Sequence, residues 1–320
     1  MIKRRWALVA LLSLLPLAPA VAQETTATSQ PTTDEAQDAP NRFLRYQETS
    51  KDAGQLQTAI VKMQNDAGVT VRLVCAVHVA DASYYHDLQK IFADSDAVLY
   101  EMVKHKDAPA PVRGQHSDSG VSKLQNFLKD QLGLSFQLDE IDYTKPNFIH
   151  ADLDAETFEK LQSERGESFA SLILSQLMKA LADPQAMQDQ EPVDMMDLMT
   201  RPDSKSQFKL ILAKQMGNIE QGAGELDVLN GTVILTERNK AVTKKLQQVL
   251  KQGKKNIVIF YGAAHMPELS DRLDLMGFKP VETKWETAWN IRVDPNAPSA
   301  FMRAMSHLND ALQDVQKQSQ

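Results

Sequence analysis

Leu73-Val74-Cys75-Ala76-Val77-His78 is echoed far downstream by Ile257-Val258-Ile259-Phe260-Tyr261-Gly262-Ala263-Ala264-His265 in this 320-residue chain. Each stretch is an apolar run rich in β-branched residues, the pattern of a strand buried on both faces. Each run ends in a histidine followed by helix-start residues, so both histidines fall at strand carboxyl ends. Open α/β sheets bind ligands in the crevice outside those ends. A third run, Asp96-Ala97-Val98-Leu99-Tyr100-Glu101, ends in a carboxylate. If the three strands are parallel neighbours, His78, His265 and Glu101 converge on one edge. Two imidazoles and a carboxylate suit a hydrolytic zinc, manganese or iron site, and equally a metal-free acid–base pair. Residues at strand ends also serve as plain caps and loop anchors.

The flanks of these strands supply the rest of the architecture. Leu56 to Met63 and Val69 to Val74 enclose Asn65-Asp66-Ala67-Gly68, a hairpin signal. After His78, Asp81-Ala82-Ser83 is a capping cluster and Tyr84 to Phe92 reads as a helix leading to the Glu101 strand, the start of a right-handed parallel crossover. Lys104 to Gly120 reads as a loop above the strand ends. A helical middle follows, with apolar residues at helical spacing in Val121 to Leu132, Ala155 to Glu164, Ser168 to Ala182 and Ser204 to Met216. The methionines between Met178 and Met199 suit soft, adaptable packing. Thr236-Glu237-Arg238-Asn239 opens or interrupts a helix running to Lys251, and Gln252-Gly253 closes it. Pro267 lies in the first turn of the next helix and Gly277 at its stop; Phe278 to Val293 reads as two strands and Ala297 to Val315 as a closing helix. The expected fold is therefore α/β: a central mixed β-sheet flanked by helices, with a helical insertion between two sheet halves.

At the start of the chain, Lys3, Arg4 and Arg5 precede an apolar stretch from Trp6 to Leu17 and a small-residue site, Ala20-Val21-Ala22. Residues 1–22 read as a secretory signal peptide cut before Gln23, too short and wrongly flanked to be a spanning helix. No lipobox cysteine follows the apolar stretch, so lipid attachment there is not expected. A soluble protein of the bacterial periplasm is the simplest expectation. Residues 23–41 hold no apolar residue larger than alanine apart from proline and read as a disordered spacer, which places the folded domain at about 42–316. Removing the three basic residues at the start from 35 against 42 acidic ones leaves a net charge of about −10. Nucleic-acid binding needs a basic footprint and is not expected. The one cysteine, Cys75, lies in an apolar strand and reads as a buried structural thiol.

Taken together, Leu56-Gln57-Thr58-Ala59-Ile60, Ala76-Val77-His78-Val79-Ala80-Asp81, Tyr84-Tyr85, Val98-Leu99-Tyr100-Glu101, the Arg238-Asn239 helix and Gly262-Ala263-Ala264-His265 resemble the TraB/PrgY/GumN family, which includes the Tiki metalloproteases. The broader superfamily includes the erythromycin-esterase and ChaN haem-binding proteins. The resemblance runs from about Leu56 to Arg292 and implies that His78 and His265 are motif histidines, Glu101 their partner carboxylate and Arg238 the arginine near the site. The first motif departs from the family's Gly-x-x-His by carrying Cys75 where glycine is expected, which bears on local backbone geometry and adds a thiol near the site.

The mechanism so implied is metal-assisted hydrolysis of a peptide or small acyl substrate. His78 and His265 would hold a divalent ion, manganese, cobalt or zinc, with Glu101 as third ligand or general base. Arg238 would orient a substrate carboxylate or stabilise an oxyanion, or else form a surface ion pair. His150, Asp152 and Tyr261 are secondary candidates, read as loop anchors or core residues. His86, His105, His116 and His307 read as solvent-facing. Two other classes stand beside the metal-dependent hydrolase: a metal-free esterase in which histidine activates water, and a non-enzymatic binding or regulatory module.

Overall fold

Asn65 to Val69 folds as the hairpin turn its composition predicts. Gly68 takes φ +74°, and its amide and that of Val69 both donate to Asn65, one to the backbone oxygen and one to Oδ1. The turn joins β2 (Ala53–Gln64) to β3 (Thr70–Ala76), paired antiparallel from Ile60 opposite Val74 to Gln64 opposite Thr70. The computed structural model describes residues 43–114, 132–167, 195–219 and 231–306. The signal-peptide and spacer readings, the helix expected at Val121 to Leu132 but for Leu132 itself, the helix expected at Ser168 to Ala182, and His116 and His307 lie outside the described residues, as does most of the methionine-rich stretch.

The central sheet has seven strands. Strand β1 (Leu44–Ser50) precedes β2, and Val79–Ala80 (β4) follows His78. After α1 (Ala82–Ala93) come β5 (Ala97–Tyr100), β6 (Ser135–Phe136), the short α2 (Gln137–Glu140) and β7 (Phe148–His150). Three helices follow, α3 (Ala155–Arg165), α4 (Met195–Thr200) and α5 (Ser204–Ile219). A π-helical turn at Val233–Glu237 then runs into α6 (Arg238–Lys251), followed by β8 (Asn256–Gly262), α7 (Met266–Leu275) and β9 (Lys279–Arg292). The sheet order is β1-β2-β3-β8-β5-β7, with β9 also on β2. Strands β3, β8, β5 and β7 are mutually parallel, while β1, β2 and β9 pair antiparallel. The mixed α/β architecture is the expected one.

Alternation along the central strands explains their continuous apolar character, because both faces are covered. Val74, Val98, Val258 and Phe260 pack on one face with Tyr84, Tyr85, Leu88 and Phe92 of α1. Leu73, Cys75, Leu99, Ile257 and Ile259 pack on the other with Val242, Leu246 and Val249 of α6 and Leu269 and Leu273 of α7. Burial of these aliphatic side chains contributes about 1.5–3 kcal/mol each.

Two expectations are corrected, and one element is added. Residues 279–292 form one long strand, not two, because bulges at Leu56/Gln57 and Lys62/Met63 let β9 follow β2 along its whole length. The middle of the chain is not wholly helical: β7 adds an edge strand to the main sheet beside β5. Strand β1 is an element its largely polar sequence does not announce. The closing helix is described only over 300–306.

Candidate functional site

Strand β8 lies between β3 and β5, with Ala76 opposite Gly262 and Tyr100 opposite Phe260. The three strands therefore end at one level and deliver His78, Glu101 and His265 to the same edge. His265 closes a single 3-10 turn after Gly262 and is buried at 5 % exposure, whereas His78 is half-buried. His265 Nε2 stands 3.6 Å from Glu101 Oε1.

Glu101 is held at both oxygens. Oε2 accepts the backbone N–H of Gly262 at 2.6 Å, and Oε1 accepts Arg238 Nη2 at 2.7 Å. Gly262 has φ −60°, so glycine is not required there by backbone conformation. Space is the reason: a Cβ at Gly262 would lie 3.3 Å from Glu101 Oε2. The same finding resolves the expectation about Cys75. Among the described residues the only non-glycine with positive φ is Asp203, so Cys75 needs no glycine-like backbone, and its thiol is fully buried in the α6–α7 side of the core.

Arg238 opens α6 and is 3 % exposed, which rules out a surface ion pair. Its Nε donates to Asp152 Oδ1 at 2.9 Å and its Nη2 to Asp152 Oδ2 at 2.5 Å. The side chain of Asp152 is fully buried. The guanidinium fork thus spans the two carboxylates and anchors Glu101 from behind. Of the secondary candidates, Asp152 belongs to the site, whereas Tyr261 donates its hydroxyl to Ala151 O and His150 bonds Met102 O, both as anchors of neighbouring backbone.

Asn239, next on α6, sets the state of His265. Its Nδ2 donates to Glu268 Oε2 at 2.8 Å, leaving Oδ1 to accept from His265 Nδ1 at 2.8 Å. Nδ1 therefore carries the proton and Nε2 presents a lone pair toward Glu101. Glu268 is itself fixed by Thr236 and Arg272. Asn239 and Glu268 have no role in the sequence reading. The available signals were a polar pair on the sheet-facing stripe of an amphipathic helix, and an acid beside Pro267 in the first turn of α7.

The backbone around His78 is tied by side chains. Tyr84 donates to Cys75 O at 2.8 Å, Tyr85 to Val77 O at 2.9 Å and Trp289 Nε1 to Val79 O at 2.7 Å. These bonds hold the segment in place where it leaves the main sheet.

Electrostatics separate the roles. Burial pushes the Glu101 carboxyl up, but Arg238, then His265, His78 and the Gly262 amide, outweigh it and hold it at about 2. Burial lowers His265 to about 4, and Arg238 adds to this while Glu101 opposes it. His78 is also lowered, by burial first, with Glu101 opposing. Near neutral pH the site holds two uncharged imidazoles and an ionised carboxylate. Such a set can bind a cation or accept a proton from water. Among the described residues no group of three or more His, Cys, Asp or Glu stands in a ready ligating arrangement, and no described helix is long and apolar enough to cross a membrane.

No protein-family model, curated protein or solved structure matches this chain.

Proposed function

We propose that the edge formed by His78, Glu101 and His265 is the hydrolytic centre of a periplasmic enzyme acting on a peptide or small acyl substrate, in the manner of the TraB/PrgY/GumN family. The observation that carries this reading is the fixed tautomer of His265, whose bare Nε2 faces the ionised Glu101 across 3.6 Å. A histidine oriented by its other ring nitrogen is the arrangement that metal ligands and general bases share.

By type the donors suit a divalent cation, although the three side chains do not stand in a ready ligating arrangement and would have to close on the ion. Two neutral imidazole nitrogens and one carboxylate suit manganese, cobalt or zinc. Glu101 and Asp152 together outweigh Arg238 by one negative charge, which favours a cation. His78, His265 and Glu101 would hold the ion, which when bound makes a water nucleophilic at neutral pH and polarises the scissile carbonyl. Arg238 keeps Glu101 ionised and aimed. With its carboxyl held at about 2, Glu101 is a weak proton acceptor and better suited as a charged ligand than as a general base. His78, the more exposed imidazole, is the group a substrate meets first.

One observation favours a second reading, metal-free hydrolysis. Arg238 already occupies Oε1 of Glu101 at 2.7 Å, so the carboxylate has a resident cation without a metal, and a neutral histidine can take the water proton directly.

Metal content of the purified protein, measured by mass spectrometry after equilibration with manganese, cobalt and zinc, separates the two. Near-stoichiometric metal lost in both His78→Ala and His265→Ala, with peptide or ester hydrolysis stopped by chelator, is the expected result. Hydrolysis indifferent to chelator would establish the metal-free route. Ligand retention that His78→Ala abolishes, with no turnover of any peptide or ester, would make the edge a binding site.

A further inference from the structure

His265 has a side-chain carboxamide as its partner, and a group of the same kind stands opposite His78. Strand β4 pairs antiparallel with β6, Val79 opposite Phe136 and Ala80 opposite Ser135. Carried one step further, that register places His78 opposite Gln137, and the Gln137 amide does donate to His78 O at 2.9 Å. Residues directly opposite in an antiparallel ladder project side chains from the same face, with Cβ atoms about 4.5–5.5 Å apart.

Gln137 is 7 % exposed and Tyr143 2 %. Gln137 Nε2 donates to the Tyr143 hydroxyl at 2.6 Å, which fixes which end of the carboxamide is oxygen. Gln137 Oε1 is left buried with no hydrogen-bond partner among the described residues. Buried acceptors are rarely left unpaired, because desolvation is then uncompensated. The nearest chemistry able to satisfy it is a ring N–H across the ladder. The shift at His78 points the same way: burial lowers the imidazole's pKa, and Glu101 first, then a side-chain hydrogen bond to Gln137, offset it in part.

We propose that Gln137 is the positioning residue of His78: its Oε1 accepts one ring N–H of the imidazole and leaves the opposite nitrogen's lone pair for the site, as Asn239 does for His265. Tyr143 then does for Gln137 what Glu268 does for Asn239, engaging the amide nitrogen so that the oxygen faces the histidine. The inference rests on the hydrolytic reading for its purpose but not for its test.

The test is nitrogen NMR of the imidazoles in the full chain, labelled with nitrogen-15 and treated with chelator, at neutral pH. In the wild type His78 shows one tautomer. Gln137→Leu, of similar size but without an acceptor, mixes or inverts it while leaving His265 unchanged, and Asn239→Leu does the converse. Gln137→Glu keeps an acceptor and keeps the single His78 tautomer. An unchanged His78 tautomer in folded Gln137→Leu overturns the assignment. Should the leucine variant fail to fold, a folded glutamate variant with mixed His78 protonation overturns it as well. Where hydrolysis is measurable, Gln137→Leu lowers kcat/KM by about 10- to 100-fold with partial recovery in Gln137→Glu. Absence of any hydrolysis would sink the hydrolytic reading and leave the tautomer result decisive for Gln137.

Discussion

The two histidine-bearing halves of the sheet edge are finished to different degrees. On the β8 side, His265 is buried, its tautomer is set by Asn239, and Asn239 is set by Glu268, which Thr236 and Arg272 hold in turn. On the β3 side, the backbone of His78 is tied at the carbonyls of Cys75, Val77, His78 and Val79 by Tyr84, Tyr85, the Gln137 amide and Trp289, while its half-buried imidazole has, on the proposal above, Gln137 alone to orient it. One half is preorganised through side chains and the other through backbone. A site built this way has a rigid rear wall around His265 and a less buried histidine at the face a ligand reaches.

The rear wall is where the largest effect is expected. Asp152→Ala leaves the buried Arg238 guanidinium with Glu101 as its remaining carboxylate, and removing one partner of a buried ion pair costs about 3–5 kcal/mol. Urea unfolding of this variant should show that loss. The exposed pair of His105 with Glu156 offers the contrast: Glu156→Gln should leave the unfolding midpoint close to that of the wild type. Equal small losses in both variants would mean that Arg238 is not the keystone of the edge.

Next in size is the oriented histidine. Asn239→Leu removes the acceptor for His265 Nδ1 and leaves Glu268 Oε2 with Thr236 as its donor, and partners of this type typically contribute about 10- to 100-fold in metal affinity or activity. The loss should appear in kcat/KM on whichever peptide or ester the protein turns over, with circular dichroism showing the fold retained. Activity equal to wild type would break the distinction between the two halves.

The pH dependence of stability should carry the same asymmetry. His265 titrates at about 4 when folded against an ordinary 6.5, so the unfolded chain binds the extra proton between those values. The stabilisation from keeping His265 neutral is complete above 6.5 and is lost as pH falls through 4. Glu101, at about 2 against an ordinary 4.5, contributes stability above 4.5 that disappears as pH falls through 2. Midpoints of thermal unfolding should therefore decline in two stages on acidification, and His265→Gln should shrink the first stage, to which His78 and His150 also contribute, while leaving most of the second. A wild-type profile flat from 6.5 to 4 would show that His265 is not held neutral by its burial.

The edge itself was legible because parallel strands covered on both faces read as unbroken apolar runs, and the residue that ends each run stands out. His78, Glu101 and His265 were found that way, and Arg238 by resemblance. Asp152 was read only as a secondary candidate and Gln137 was not singled out, because their meaning lies in partners that local pattern does not show: Arg238 is 86 positions from Asp152, and Gln137 faces His78 through a ladder of two-residue strands. Strand β7 has three residues, too few for a period to emerge. Strand β1 is exposed over its last four, so pairing with β2, rather than an apolar pattern, makes it a strand. Strand β9 misread as two because its bulges break the alternation that marks a strand.

The smallest expected effect compares the two motifs at their first position, cysteine in one and glycine in the other. Cys75 packs in the core with no positive φ to relieve, so Cys75→Gly should cost about 1–2 kcal/mol through lost burial and a freer unfolded chain. Because the thiol faces the α6–α7 layer and not the edge, hydrolysis and the His78 tautomer should not change. Gly262→Ala should behave in the opposite way. Its new Cβ would sit 3.3 Å from Glu101 Oε2, so the carboxylate that His265 and Arg238 share must shift by a few tenths of an ångström while the core is untouched. Stability should then hold and kcat/KM should fall. If instead Cys75→Gly alters activity and Gly262→Ala does not, the backbone-tied half governs the chemistry, and the rear wall around His265 is only its support.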